Sequence, residues 1–282
     1  MQFGLVMEGG AMRGMFTAGV TDVLMRNGIE FDGGIGTSAG AAFGCNYKSR
    51  QDGRVIRYNL DVCKNWRFAS LRSLILTGDL YGAEFCYHTI PEILDPFDRP
   101  AYAENPMKFF AVCTDVITGQ PIYHECPQID SSTLEWIRAS ASMPLVSRIV
   151  EIDGYKLLDG GMSDSIPLQA FENMGYQRNV VILTRPKDYI KKANPLMWLV
   201  RIMYRKYPAL IEKMANRHSI YNSQTAYISQ REKEGAALVL RPPEPLPVRP
   251  VEHDPARIKK AYEMGLKVGQ DNLQKIKEFL QH

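Results

Sequence analysis

Twice within its first 45 or so residues the chain passes from a short apolar run, through a glycine-rich turn, into a helical pattern. Phe3 to Met7 leads into Gly9-Gly10-Ala11-Met12-Arg13-Gly14, after which Phe16, Val20, Val23 and Leu24 recur at helical spacing until Asn27-Gly28. Phe31 to Ile35 leads into Gly36-Thr37-Ser38-Ala39-Gly40 and a second helical stretch, Ala39 to Tyr47. Strand, helix, strand and helix at this density predict an α/β fold, a largely parallel central sheet flanked by helices.

The remainder is coarser. Residues 50–105 read as mostly helical, broken at Gly78, Gly82, Pro91 and Pro96. Phe109 to Thr114 is a strand, and Thr118-Gly119 turns it into Pro121 to His124. A helix over Leu134 to Ala139 stops before Pro144. Ile149 to Ile152 and Tyr155 to Leu158 flank Asp153-Gly154, a two-residue hairpin signal. Ser165 with Pro167 opens a helix ending at Gly175, and Val180 to Thr184 and Ala236 to Leu240 are the last strands. Five prolines between Pro242 and Pro250 impose an extended connector, followed by a helix from about Asp254 to Phe279.

Several classes of protein are excluded. A chain of 282 residues, 45% apolar and 23% charged, buries a sizeable core without disulfides or a structural metal. Its longest uncharged run, Gly33 to Tyr47, has 15 residues and is too short to span a bilayer. Glu8 and Arg13 fall where a signal peptide needs its apolar stretch. Cys45, Cys63, Cys86, Cys113 and Cys126 are odd in number and never spaced as C-x-x-C, which predicts free thiols and a cytoplasmic protein. A net charge of +3 is too small for a nucleic-acid partner. That charge is uneven, because Arg185 to Arg217 holds nine basic and two acidic residues and leaves the rest of the chain net acidic.

The chemistry concentrates in three places. Gly36-x-Ser38-x-Gly40 between a strand and a helix has the form of a nucleophile elbow, in which a sharp turn presents a serine above the sheet end. The alternative is a plain glycine-rich turn whose serine begins a helix. The Gly9–Gly14 loop has backbone N–H groups and Arg13 to offer an anion, either a phosphate or the oxyanion of a tetrahedral acyl intermediate. Its spacing is neither G-x-G-x-x-G nor a G-x-x-x-x-G-K-[ST] loop, so nucleotide binding is disfavoured; an ordinary turn with a surface arginine also fits. A serine nucleophile needs a base. His88, His124, His218, His253 and His282 all lack a turn-presented setting, whereas Asp159 follows a strand and precedes Gly160-Gly161. Asp159 is then either a base or the cap of the next turn.

Taken in order, Gly9-Gly10-Ala11-Met12-Arg13-Gly14, Gly36-Thr37-Ser38-Ala39-Gly40, Ala139-Ser140-Ala141-Ser142-Met143-Pro144 and Asp159-Gly160-Gly161 resemble the blocks of patatin-like phospholipases. Thr114-Asp115 and Thr118-Gly119 are similar to a hairpin of bacterial members, and the resemblance extends over residues 1 to about 185. It implies a three-layer patatin-like fold with a nucleophile elbow framed by Gly36 and Gly40. It implies Ser38 as nucleophile, Asp159 as its base without a histidine, and an oxyanion hole from Gly9, Gly10, Ala11 and Arg13. The expected activity is lipid acyl hydrolysis of the phospholipase A or lysophospholipase type through an acyl-enzyme. The chain departs from the family pattern twice. Ala11 stands where a third glycine is usual, so a positive φ there carries strain. Ser165 stands where many relatives have Asn, which leaves the support of Asp159 open.

Residues 186–282 form a helical, basic C-terminal part packed on the 1–185 catalytic domain or continuing it. Leu196, Leu199, Met203, Tyr207 and Leu210 recur at helical spacing among Arg201, Arg205, Lys206 and Lys213, and Pro208 splits the run. Such a basic amphipathic stretch, with Trp198, suits either peripheral contact with the inner face of an anionic membrane or packing with a solvated charged face. No metal-ligand constellation is visible, so the expected chemistry needs no cofactor and no calcium. Two other functions fit the same residues: a carboxylesterase or thioesterase for soluble acyl compounds, and a non-catalytic module binding anionic lipid or phosphate through the Gly9–Gly14 loop.

Overall fold

The two strand–turn–helix units lie side by side in the middle of one sheet. In the computed structural model, which describes residues 2–281, β1 (Phe3–Met7) runs parallel to β2 (Gly33–Thr37), with Met7 opposite Gly36. A 3-10 turn at Ala11–Arg13 leads from β1 into α1 (Gly14–Arg26), and β2 passes through Ser38 into α2 (Ala39–Lys48). The second strand begins two residues later than its apolar pattern predicts. Its sequence, Gly-Gly-Ile-Gly-Thr, is small because helices and neighbouring strands press on it, and small residues give little periodic signal.

Residues 50–105 are mostly helical as expected: α3 (Arg54–Val62), α4 (Leu71–Thr77), a wide π-type helix at Phe85–Leu94, and α5 (Arg99–Glu104), but the expected break at Pro91 is not one, because the wide helix runs through it. Pro91 has no N–H to give a regular helical ladder, consistent with the widened turn. The chain then forms β3 (Lys108–Asp115), β4 (Pro121–Glu125), α6 (Ser131–Ser140), β5 (Val150–Ile152), β6 (Tyr155–Asp159), α7 (Leu168–Asn173) and β7 (Arg178–Ile182). Asp130 caps α6 by accepting from the Thr133 amide at 2.8 Å. Asp153 and Gly154 both take positive φ, +48° and +81°, and make the predicted two-residue hairpin.

With β8 (Ala237–Leu240) the sheet has eight strands in the order β5-β6-β3-β2-β1-β7-β8, with β4 also on β3. It is mixed, which corrects the expectation of a largely parallel sheet. Strands β3, β2, β1, β7 and β8 pair in parallel, whereas β4, β5 and β6 pair antiparallel. Tight turns at residues 116–120 and 153–154 return the chain at once, which makes the β3–β4 and β5–β6 pairs antiparallel.

Helices cover both faces. Leu5, Met7, Val180 and Ile182 face the layer containing α1 and α2, while Val6, Ile35 and Val181 face Leu168 and Phe171 of α7 on the other side. The C-terminal residues take part in both layers. Beyond α8 (Met197–Met203), Tyr221 and Ile228 of α9 (Pro208–Lys233) pack beneath the sheet, and β8 extends it. α10 (Pro255–Asp271) crosses α1 so closely that a Cβ on Gly265 would lie 2.1 Å from the Phe16 carbonyl oxygen. The predicted last helix is two, broken at Asn272 before α11 (Leu273–Phe279). Among the described residues no helix is long and apolar enough to cross a membrane.

Candidate active site

Ser38 occupies the turn between β2 and α2 with φ +56° and ψ −121°, a conformation that non-glycine residues seldom adopt. The turn is this tight because glycines frame it. A Cβ on Gly36 would sit 2.3 Å from the Gly40 carbonyl oxygen, and one on Gly40 would sit 2.3 Å from that of Met7. A serine at this helix start ordinarily accepts from an amide of the first turn, but the Ser38 side chain makes no such cap bond. Its hydroxyl instead donates to Asp159 Oδ2 at 2.7 Å.

Sheet register explains the meeting. β2 and β6 share one edge of β3, β2 opposite residues 108–112 and β6 opposite 113–115, with β4 on the other edge. Thr37 faces Val112 and Asp159 faces Cys113, so the C-terminal ends of the two strands abut. The antiparallel course of β6, which the sequence pattern did not reveal, is therefore what turns Asp159 toward Ser38. Asp159 also caps the following turn, since Oδ1 accepts from the Gly161 amide at 2.7 Å while Oδ2 faces the serine. Burial raises the Asp159 pKa above the usual carboxylate range, opposed by the Ser38 hydrogen bond and by nearby Arg217.

The loop after β1 runs beside this pair. Gly9 lies against Ser38, and a Cβ there would be 2.9 Å from the serine's Cβ. Ala11 has φ +48°, so the methyl in place of glycine does carry left-handed strain, of about 1–2 kcal/mol. Gly10 precedes the 3-10 turn, whose leading amides have no acceptor inside the turn. Arg13 packs against Gly10 and donates from Nε to Thr184 Oγ1 at 3.4 Å; burial and Arg185 lower its pKa.

Ser38 stands where two cavities meet. One, of about 110 Å³, is apolar and runs past Phe43, Tyr58, Phe68, Ile90 and Ile137. The other, of about 600 Å³, is lined by Asp159 together with Arg13, Arg185, Lys191 and Arg217. Ala11, Ser38 and Met143 border both.

The family profile of patatin-like phospholipases matches residues 5–172, more than half of the chain and all four sequence blocks. The chain belongs to the patatin-like phospholipase family. A second profile, a domain of unknown function (DUF6363), matches residues 207–281. Among curated relatives, the uncharacterized protein YjjU of Escherichia coli is 34% identical over 65% of this chain and 52% of its own length. The uncharacterized NTE family protein Rv1063c of Mycobacterium tuberculosis is 25% identical over 76% of this chain and 58% of its own. Lysophospholipase nte1 of Aspergillus terreus is 30% identical over 61% of this chain and 11% of its own. The chain thus spans little more than half the length of the first of these relatives.

Of the sequence-predicted site residues, the structure brings together Ser38, Asp159, Gly9, Gly10, Ala11 and Arg13, with Gly36 and Gly40 beneath the serine. Ser165 does not reach Asp159; its hydroxyl donates to the Gly161 carbonyl at 2.9 Å. His218 borders the larger cavity, His88 lies 3.5 Å from Glu135, His124 stacks on Trp136 and the His253 ring contacts the Cys63 carbonyl. His282 lies outside the described residues.

Sequence reasoning missed three participants. Ser140, inside the Ala139–Pro144 block, accepts from the Ser38 amide at 2.9 Å and donates to the Val112 carbonyl at 2.7 Å, pinning the turn to β3. Arg217, from the middle of α9, donates to the Gly161 carbonyl at 2.5 Å and faces Asp159. Glu8 is buried, accepting from the Thr184 amide at 2.5 Å and the Tyr221 hydroxyl at 2.8 Å, and so ties the loop base to α9. Nothing in the local sequence marks Arg217, which is 58 positions from Asp159. Among the described residues all five cysteines are free thiols, and no three His, Cys, Asp or Glu side chains converge as a metal site.

Proposed function

We propose that the protein is a serine lipid acyl hydrolase that works through a Ser38–Asp159 dyad and an acyl-enzyme. The observation carrying this reading is the 2.7 Å bond from a strained turn serine, unused as a helix cap, to a buried carboxylate. On this reading the β2–α2 turn is the family's nucleophile elbow in a three-layer patatin-like fold. Asp159 Oδ2 takes the proton as Ser38 Oγ attacks the ester carbonyl carbon. The amides of Gly10 and Ala11, with Gly9 shaping the loop and Arg13 adding charge, receive the oxyanion. Collapse of the intermediate expels the alcohol, which leaves with the proton from Asp159. Water, deprotonated by Asp159, then releases the fatty acid and restores Ser38.

The apolar cavity would take the acyl chain. Residues 186–282 would complete the same domain, since β8 and α10 supply sheet and core to the N-terminal part. Peripheral contact with an anionic membrane is supported by the surface of α8, where Trp198, Ile202 and Met203 are exposed beside Arg201, Arg205 and Lys206.

Fatty-acid release from phospholipid and lysophospholipid, set against turnover of a short-chain p-nitrophenyl ester and an acyl thioester, tests the assignment. A higher kcat/KM on the lipids, abolished in Ser38→Ala, is expected. Preference for the soluble esters would instead make the protein a carboxylesterase or thioesterase, and lipid binding without turnover of any of them would make it a binding module.

A further inference from the structure

The larger cavity beside Ser38 carries more positive charge than its walls balance. Arg13, Arg185, Lys191, Lys192 and Arg217 line it, against the carboxylates of Glu8 and Asp159. Both carboxylates are engaged, Glu8 by the Thr184 amide and the Tyr221 hydroxyl, Asp159 by Ser38 and the Gly161 amide. Among the described residues none of the five cations has a carboxylate oxygen within 4.0 Å. Three of them come from residues 185–192, beyond the matched family profile, and Arg217 comes from α9.

The cations differ in what they have left to give. Arg217 is committed to the Gly161 carbonyl, and Arg13 is held against Gly10 and Thr184. The Arg185 guanidinium carbon stands 4.3 Å from the centre of the Tyr189 ring, and the Lys191 ammonium stands 4.8 Å from the centre of the Tyr221 ring. Aromatic faces of this kind hold a cation in place without using its N–H donors. Crowding like charges in a half-buried space is unfavourable, and burial with Arg217 and Arg13 draws the Lys191 pKa down to about 8. An anion relieves that repulsion, whereas a headgroup bringing its own ammonium adds to it.

Resting on the acyl-hydrolase reading, we propose that this cavity is a subsite for the phosphate of an anionic lipid headgroup, with Lys191 and Arg185 as the residues that select it. An ester poised at Ser38, with its chain in the apolar cavity, has its glycerophosphate end on the cationic side. The shared chemistry is a phosphate that carries no compensating cation, and the zwitterionic phosphocholine group is disfavoured.

Binding to full-length Ser38→Ala protein, which removes turnover from the readout, tests this. Lysophosphatidylglycerol and lysophosphatidylcholine, both below their micellar concentrations, are titrated by calorimetry, with glycerol 3-phosphate as the chain-free probe. The expected result is binding of the anionic lipid about tenfold or more tighter than the zwitterionic one, the range of one charge-assisted contact. Lys191→Gln and Arg185→Gln should each remove most of that ratio, and Lys191→Arg should keep it. A ratio near one, or a ratio surviving both neutral substitutions, overturns the proposal; so does glycerol 3-phosphate binding as tightly as the lipid, which would make the ligand a soluble phosphate. If the ratio holds while wild-type protein hydrolyses no ester, the subsite stands and the hydrolase reading fails.

Discussion

Ser38 and Asp159 meet because the strands carrying them end against each other on the same edge of β3, Thr37 opposite Val112 and Asp159 opposite Cys113. Two residues 121 positions apart are thereby held at 2.7 Å by backbone register, with no loop of adjustable length between serine and carboxylate on that edge. The geometry belongs to the sheet.

Asp159→Asn removes the proton acceptor and should lower kcat by about 10²–10⁴-fold on any ester the protein turns over. His218→Ala, the histidine bordering the same cavity, should retain most of the activity. Steady-state kinetics on one short-chain ester is sufficient. Loss of activity with His218→Ala and retention with Asp159→Asn would replace the dyad with a histidine-dependent mechanism.

Burial holds the Asp159 pKa above the ordinary carboxylate value, and the base must be ionised to act. The acid limb of kcat/KM against pH should therefore fall at a pH above the usual carboxylate range. Stability follows the opposite sense: a carboxyl whose folded pKa is raised contributes stability below its unfolded pKa and loses it as pH rises through the folded pKa. At neutral pH Asp159→Asn should melt at or above the wild-type midpoint, and thermal unfolding at several pH values should show that difference shrinking toward acid.

Gly40 lies in a helix, where alanine is ordinarily the more stable residue by about 0.5–1 kcal/mol. Here its Cβ would meet the Met7 carbonyl oxygen at 2.3 Å. Gly40→Ala should reverse the sign and destabilise the fold by about 1–3 kcal/mol in urea unfolding. Ala11→Gly should go the other way, relieving a positive φ and stabilising by about 0.5–1 kcal/mol.

Lys191 faces Arg217, Arg13, Arg185, Glu8 and Tyr221, and its pKa is drawn down to about 8, so it loses its charge as pH rises through that value. The ratio of kcat/KM for an anionic over a zwitterionic lysophospholipid should decline across the same range, while Lys191→Arg should keep it flat. A ratio unchanged between pH 7 and 9 would remove Lys191 from headgroup selection.

Local chemistry made much of this fold legible. The strand Phe3–Met7, the Asp153-Gly154 hairpin and the break at Pro208 are each written in a few adjacent residues, and the structure has all three. So are the glycine-framed serine and the aspartate beside two glycines. What stayed hidden depends on distant partners. The antiparallel placement of β6 beside β2 follows from which edge of β3 was left open, and Arg217 reaches Asp159 only because α9 packs beneath the sheet. Pro91 signals a break where the structure has a wide helix over Phe85–Leu94, because a lone proline does not tell a stop from a widened ladder, and the break at Asn272 has no strong local signal, since asparagine is tolerated in helices.

The central claim is that Ser38 is an activated nucleophile, and intact mass spectrometry after treatment with a fluorophosphonate tests it most directly. One covalent adduct is expected on wild-type protein, none on Ser38→Ala, and a much slower one on Asp159→Asn. An unmodified wild-type protein, with or without lipid vesicles, or an adduct that persists in Ser38→Ala, would contradict it.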